Sequence, residues 1–423
     1  MTTKINNEHK KVYVPNLRFK EFQGEWKEHY LSDYLDFKNG LNPKPDKFGK
    51  GIKFISVMDI LNNAIITNDC IRASVDVSEE ELQNFCVENG DMLFQRSSET
   101  LEDVGRANVY MDDKPAVFGG FVIRGKKKAE YNPLFFRYLL ASPFARKKII
   151  PMGAGAQHFN IGQEGLNSVR LHFASLDEQK KIAKILSLLD ERITTQSKII
   201  EDLKKLKSAI IEKVFCSPNQ KNPMCRIEGF EQALSTYKMS DFSSRIATKN
   251  KDSKCSLVLT IAAQYGLVNQ ESFFNKSVAS ENLTGYYLIH KGEFAYNRSY
   301  SAGYDWGAVK RLDNYDEGVL STLYICFKIN ETIVDSDYLA YYFESTKWHR
   351  GLSDIAGEGA RNHGLLNVSM TDYFNTKHRF PVIEEQKAIA KMLNTITEKE
   401  RKATLLGECY QKQKQYLLRQ MFI

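Results

Sequence analysis

The decapeptide Asp177-Glu-Gln-Lys-Lys-Ile-Ala-Lys-Ile-Leu186 returns 207 residues later as Glu384-Glu-Gln-Lys-Ala-Ile-Ala-Lys-Met-Leu393. Each copy opens a long segment in which charged residues surround a single apolar stripe. Between Asp177 and Phe215 there is no Pro or Gly, and Ile182, Ile185, Leu186, Leu189, Ile193, Ile199, Leu203, Leu206, Ile210 and Val214 follow one another mainly in helical steps. A helix of that length spans about 58 Å. From Pro381 onward the second segment repeats the pattern with Ile389, Leu393, Ile396, Ala403, Leu406, Tyr410 and Leu417, and Gly407 weakens it by about 1 kcal/mol. An apolar seam on so long a rod requires a partner helix. The residues expected to form it are Ile182, Ile185, Leu189, Ile193, Leu203, Leu206 and Ile210 on the first rod, and Ile389, Leu393, Ile396 and Leu406 on the second.

The repetition continues upstream of both rods. Gly90-Asp-Met-Leu-Phe-Gln-Arg-Ser97 resembles Gly292-Glu-Phe-Ala-Tyr-Asn-Arg-Ser299 at an offset of 202, and Gly155-Ala-Gln-His-Phe-Asn160 parallels Gly359-Ala-Arg-Asn-His-Gly364 at 204. Asn132-Pro-Leu-Phe-Phe-Arg-Tyr-Leu139 loosely matches Ser336-Asp-Tyr-Leu-Ala-Tyr-Tyr-Phe343. Slowly growing offsets are the mark of two diverged copies with small insertions. Segments 51–57, 116–123, 256–261 and 320–327 read as strands, and 133–149 and 337–352 as helices. The expected fold is α+β: two duplicated domains with mixed or antiparallel curved sheets, each followed by a long helix, the two helices packing as an antiparallel coiled coil. The expected boundaries are 14–175 for the first domain, 176–216 for its rod, 217–230 for a linker, 231–380 for the second domain and 381–423 for the second rod.

Composition narrows the function classes. No stretch approaches 18 apolar residues, and the segment from Met1 to Lys11 has no apolar signal core, which leads to a cytoplasmic expectation. The seven Cys are scattered with no C-x-x-C pair, and the eight His include no H-E-x-x-H, so no metal site is expected. The net charge of +7 suggests a polyanionic partner, yet five of those seven charges fall on the two rods. Basic clusters at Lys44/Lys47/Lys50/Lys53 and Lys126-Lys-Lys128 remain for local contact with DNA. Catalytic signatures are weak. Asn132-Pro-Leu-Phe135 departs from the N-P-P-F tetrapeptide of amino-methyltransferases at Leu134, and Glu385-Gln-Lys387 has nuclease-like spacing but lies on a rod. No G-x-x-x-x-G-K-[ST] occurs for ATP.

Two domains related by a pseudo-twofold suit duplex DNA, whose local twofold symmetry offers separated half-sites, with rod length setting their spacing. A protein–protein scaffold fits the same architecture. Gln95, Arg96 and Ser97 in the first copy and Asn297, Arg298, Ser299 and Tyr300 in the second follow expected strands. Amide and guanidinium groups there match adenine and guanine edges, although they equally suit ordinary turns or internal pairing. Gln157, His158 and Asn160, and Arg361, Asn362 and His363, belong to Gly-rich loops that can approach a groove closely. Lys44 and Lys53 complete the candidate DNA-binding set.

Those residues carry a family pattern. The opening Val14-Pro-Asn-Leu-Arg-Phe-Lys-Glu-Phe-Gln-Gly-Glu-Trp26 with Leu31-Ser-Asp-Tyr34, the two Glu-Gln-Lys rod starts, and Gly292-Glu-Phe-Ala-Tyr-Asn-Arg-Ser-Tyr-Ser301 together resemble the specificity (S) subunits of type I restriction–modification systems. The resemblance covers essentially the whole chain. It implies two target-recognition domains that each read half of a bipartite, asymmetric sequence in double-stranded DNA. The rods then act as spacer and as docking surface for two methyltransferase subunits, and restriction subunits complete the complex. S-adenosylmethionine, ATP and Mg2+ are expected on those partners, with no cofactor and no catalysis in this chain. The second copy departs from the pattern at its start, where 229–241 retains little of the Gly24-Glu-Trp26 opening.

Overall fold

A computed structural model of the chain describes residues 13–276, 282–299, 303–355, 361–362, 365–366 and 368–423. The chain divides into two compact units. One reaches Ser197 and also takes in Leu405–Ile423, and the other is Lys198–Thr404. The rods are the helices Leu176–Val214 and Ile383–Gln420, so each rod contributes one part to each unit. Antiparallel packing is the reason. In the first unit Asp190 pairs with Lys414 at 2.6 Å, and in the second Lys207 pairs with Glu400 at 3.0 Å. Numbers rise along one rod as they fall along the other.

The seam is narrower than the apolar stripe. In the first unit Ile182, Ala183, Leu186 and Leu189 are buried with Leu417, Met421 and Phe422, and Ile193 packs at the margin. In the second unit Ile211, Val214 and Phe215 share a core with Ile389, Ala390 and Leu393. Leu203, Ile210 and Ile396 are half-buried. Ile185, Leu206 and Leu406, expected in the seam, are exposed. At about 100° per residue Ile185 lies about 100° and Leu206 about 160° round the first rod from buried Leu186, so part of the apolar pattern faces solvent.

Within the first unit an antiparallel sheet has the order Leu35–Asn39, Val122–Lys127, Met92–Gln95, Ala107–Val109. The second unit repeats it as Ser243–Arg245, Ile325–Ile329, Phe294–Asn297, Ala308–Arg311. A mixed sheet adjoins the first, with Phe48–Ile55 between antiparallel Ser74–Val75 and parallel Ala116–Phe118. Its counterpart keeps the parallel bridge between Val258 and Val319. The segments 116–123 and 320–327, expected as single strands, are each broken. Ala116–Phe118 ends at Gly119-Gly120-Phe121 before Val122–Lys127 begins, and Glu317–Leu320 is likewise separated from Ile325–Ile329. The chain leaves one sheet and enters another at these turns. A Cβ at Gly120 would press on the Asn42 side chain and one at Gly119 on the Phe54 ring, so the crossing is close-packed on both sides. The expected helices also break, at Ser142-Pro143, where proline starts a new helix, and between Tyr342 and His349.

The repeated Glu-Gln of the rod openings has a structural task. Glu178 is 1% exposed and accepts two bonds from the Arg18 guanidinium, both at 2.8 Å. Glu385, equally buried, accepts the same fork from Arg226 at 2.9 and 2.7 Å. Gln179 accepts from the backbone N–H of Asn132, the cap of helix Pro133–Ala141, and donates to the carbonyl of Ala174. Gln386 treats Asp335, the cap of Ser336–Tyr342, and the Pro381 carbonyl alike. The motif therefore fastens each rod to the domain before it. Arg226 falls in the segment read as a linker, yet it is the counterpart of Arg18. From there the opening strands align at an offset of 208 and their partners at 207: Lys27–Tyr30 pairs with Arg170–Phe173 as Ser235–Lys238 pairs with Lys377–Phe380. Leu234 replaces Trp26 in the core, which hides the match in the sequence.

Aromatic residues fill both cores. Tyr131 stacks on Phe136 at 3.9 Å in the first, and Tyr296 on Tyr373 at 4.8 Å in the second. Phe422, 1% exposed, meets Trp26 edge-on and lies against Phe135. Among the described residues no helix is long and apolar enough to cross a membrane.

Candidate nucleic-acid interface

The strand Met92–Gln95 ends at Arg96, and the chain there is joined to a segment 60 residues downstream. Arg96 donates its backbone N–H to the Phe121 carbonyl and accepts from Ile161 N–H, both at 2.9 Å. Ser97-Ser98 pairs antiparallel with Phe159-Asn160. The candidates Gln95, Arg96 and Ser97 are thereby brought together with the loop that carries Gln157, His158 and Asn160. Gly155 makes that loop possible. Its φ is +146°, and a Cβ there would strike the His158 carbonyl. Asn160 closes the loop through reciprocal backbone bonds with Ala154, leaving Gln157 and His158 exposed.

The second unit assembles the same junction. Arg298 accepts from Leu366 N–H at 3.0 Å through its backbone carbonyl, as Arg96 does from Ile161. Arg361-Asn362 pairs with Leu365-Leu366, so the strand carrying two further candidates joins the same place. Asn297 turns its side-chain oxygen back to Ser299 N–H at 3.0 Å. Tyr300 and His363 lie outside the described residues.

The two arginines use guanidinium donors on backbone. Arg96 donates to the Gly120 carbonyl at 3.2 Å. Arg298 donates to Val368 O at 3.1 Å and Leu323 O at 3.3 Å, and its Nε is buried without a partner. Each arginine therefore holds the turn where the chain passes between sheets. Gln95 is 4% exposed; its amide donates to Ser97 O at 3.0 Å, and its Oε1 is buried without a partner.

The lysine cluster is uneven. Lys53 donates to Ile71 O at 2.7 Å, while Lys47 and Lys50 flank Asp76 at 3.8 and 3.3 Å. Lys44 is exposed. Residues 41–58 hold four Lys and one Asp, so this edge is electropositive. Sequence reasoning missed what stands beside it. A pocket of about 410 Å³ is lined by Asn42, Phe48, Phe54, Met58, Gly120 and Phe121 among others. Phe121 is 68% exposed, and Leu323, at the Arg298 turn, is 57% exposed. Their shared offset of 202 from each other, equal to that of the two arginines, was the available signal. Among the described residues no three His, Cys, Asp or Glu side chains converge as metal ligands.

A family model described as the type I restriction modification DNA specificity domain matches residues 23–205. The putative type I restriction enzyme MjaX specificity subunit of Methanocaldococcus jannaschii is 28% identical over 200 residues, 46% of each chain. The type I restriction enzyme EcoKI specificity subunit of Escherichia coli K12 is 24% identical over 169 residues, 39% of this chain and 35% of that one. Residues 23–205 are thus similar to a type I restriction modification DNA specificity domain. The match spans about half the length of the first of these curated relatives and about a third of the second. A crystal structure of a type I restriction–modification system S subunit from M. genitalium shares the fold across 97% of this chain and 99% of its own, with a TM-score of 0.56 and 15% identity. The duplicated domains with their rods thus share the fold of that S subunit, and the junctions at Arg96 and Arg298 occupy corresponding places in the two copies of this chain.

Proposed function

We propose that this chain is the DNA sequence-specificity subunit of a type I restriction–modification complex, reading one half of a bipartite, asymmetric sequence with each unit. The observation that carries the reading is the repeated junction, in which two loops 60 to 70 residues apart are tied together at Arg96 in one copy and at Arg298 in the other. Two equivalent surfaces with different side chains suit two different half-sites. Lys44, Lys53, Ser97, Gln157, His158 and Asn160 are the candidate DNA contacts of the first, with buried Gln95 shaping the turn behind them, and Asn297, Ser299, Arg361 and Asn362 are those of the second.

The rods supply docking for two methyltransferase subunits, and restriction subunits join through the assembled complex. Exposed Ile185, Leu188, Ile199, Leu206, Leu405 and Leu406 support this, because apolar side chains in such number on a charged rod favour a protein partner. S-adenosylmethionine, ATP and Mg2+ act on those partners, and this chain contributes specificity without catalysis.

The test is methylation by the chain assembled with its methyltransferase subunits, mapped at single-base level on random-sequence DNA. The expected result is modification confined to one bipartite sequence. Modification independent of sequence, or an assembly with no DNA footprint, would favour the alternative of a coiled-coil adaptor for proteins.

A further inference from the structure

Arg96 and Arg298 direct guanidinium donors at the turns between the two sheets, so the group each turn presents is the side chain at its tip. Those tips are Phe121 and Leu323. Both are large, apolar and mostly exposed, at 68% and 57%. A single exposed apolar residue is unremarkable on a protein surface, but the same exposure at equivalent positions of two diverged copies is not explained by chance packing. In neither copy does the residue close a core, so folding alone does not require it.

In the first unit the tip borders a concave apolar surface. Phe48, Phe54 and Met58 line the pocket beside Phe121, with Phe48 42% and Met58 60% exposed. Asn42 is exposed at its edge, packed against Gly120. The surrounding segment 41–58 carries four Lys to one Asp, which matches a polyanion rather than an apolar protein surface. The Gln95 Oε1 buried without a partner lies one residue from Arg96. In the first unit the exposed ring and the hollow beside it together form an apolar seat for a small group that protrudes. The one apolar group that protrudes from a base edge in duplex DNA is the thymine 5-methyl in the major groove. An asparagine amide beside it matches the adenine of the same base pair.

We propose that Phe121, with the pocket beside it, and Leu323 in the second copy are base-reading residues that receive a thymine methyl, one in each half of the DNA target. Arg96 and Arg298 are positioning residues that fix the turns. The proposal rests on the specificity-subunit reading above.

The experiment uses the full chain assembled with its methyltransferase subunits and a duplex bearing its bipartite sequence, with thymines replaced singly by deoxyuridine. Both tips are exposed, so F121A and L323A retain the fold, which circular dichroism and assembly confirm. Removing one thymine methyl in each half is expected to weaken wild-type binding about tenfold. F121A should abolish that sensitivity in one half only, and L323A in the other, with the salt dependence of binding unchanged because no phosphate contact is lost. R96A alone should reduce methyl sensitivity in the F121A half only, with assembly intact, and R96K should restore part of it, a rescue that a loss of fold would not show. A half-site without thymine, equal deoxyuridine sensitivity in wild type and F121A, or reduced affinity with no methyl coupling overturns the proposal. Wild-type binding without any sequence preference would instead overturn the specificity reading itself, so the two failures are distinguishable.

Discussion

Replacing Glu178 with alanine isolates the device that ties a rod to its domain. The wild-type carboxylate is 1% exposed and receives both arms of the Arg18 guanidinium, whose side chain is 13% exposed. Removing one member of a buried ion pair costs about 3–5 kcal/mol, because the remaining charge has neither water nor a counter-ion. Arg18 also donates to the carbonyls of Gln23 and Gly24, which recover part of that loss. The lower end, about 3 kcal/mol, is the expected destabilisation of the first unit. For a unit of this size that lowers its melting temperature by about 6–12 °C. The measurement is thermal and urea unfolding of the full chain followed by Trp26 fluorescence, in a background where Trp306 and Trp348 are replaced by phenylalanine. Trp26 is buried in the first unit, so its emission reports that unit. The double variant R18M/E178M is the control. With no charge left unpaired, it should regain most of the loss, since apolar replacements of a buried pair are often close to neutral. A loss below about 1 kcal/mol in E178A, or no recovery in the double variant, would refute the assignment of a desolvated clamp.

Four other outcomes are expected. F422A should destabilise the first unit by about 3–5 kcal/mol, because its ring is buried against Trp26 and Phe135; unfolding with the same Trp26 probe checks this. R96A and R298A should each reduce sequence selectivity in one half of the DNA target while leaving subunit assembly intact, read by methylation of duplexes randomised in either half. L206K should weaken capture of a methyltransferase subunit without lowering the melting temperature, since Leu206 is exposed on its rod; analytical ultracentrifugation measures the capture. The fourth concerns acid. Burial pushes the His378 imidazole down from 6.5 to about 3, where it meets Tyr342 OH and the Thr376 hydroxyl as a neutral ring. The unfolded state therefore binds the extra proton between those two values, and stability present above about pH 6.5 falls as pH falls toward 3. The loss is about 2 kcal/mol at pH 5. Urea titrations at pH 7 and 5 should show it, and H378Q should remove most of this difference.

The duplication and the rods were legible because helical periodicity and a near-identical repeat survive divergence. The Glu-Gln letters were visible too, but not their task, since the partners Arg18 and Arg226 lie about 160 residues away and pairing at that distance leaves no local trace. The start of the second copy was obscured when Leu234 took the place of Trp26; a core accepts either apolar residue, while a sequence match does not. The broken strands at Gly119 and Ser321 were hidden because a hydrophobic run reads continuously whichever sheet its halves join. Ile185, Leu206 and Leu406 were misplaced for a related reason. Hydrophobicity marks a face of a helix, and it does not say which part of that face is covered.

The first unit is assembled from two distant stretches of chain, and this orders events during synthesis. Lys198–Thr404 is contiguous and has all its parts once residue 404 has emerged from the ribosome. The earlier unit is made first yet must wait for Leu405–Ile423, including Phe422, to complete its core. At about 5–20 residues per second the delay is on the order of tens of seconds. During that interval Trp26, Phe135 and the first half of the central rod lack their apolar cover. The nascent chain is then most open to chaperones, and a truncated product that stops before residue 405 would carry a finished second unit beside an unfinished first.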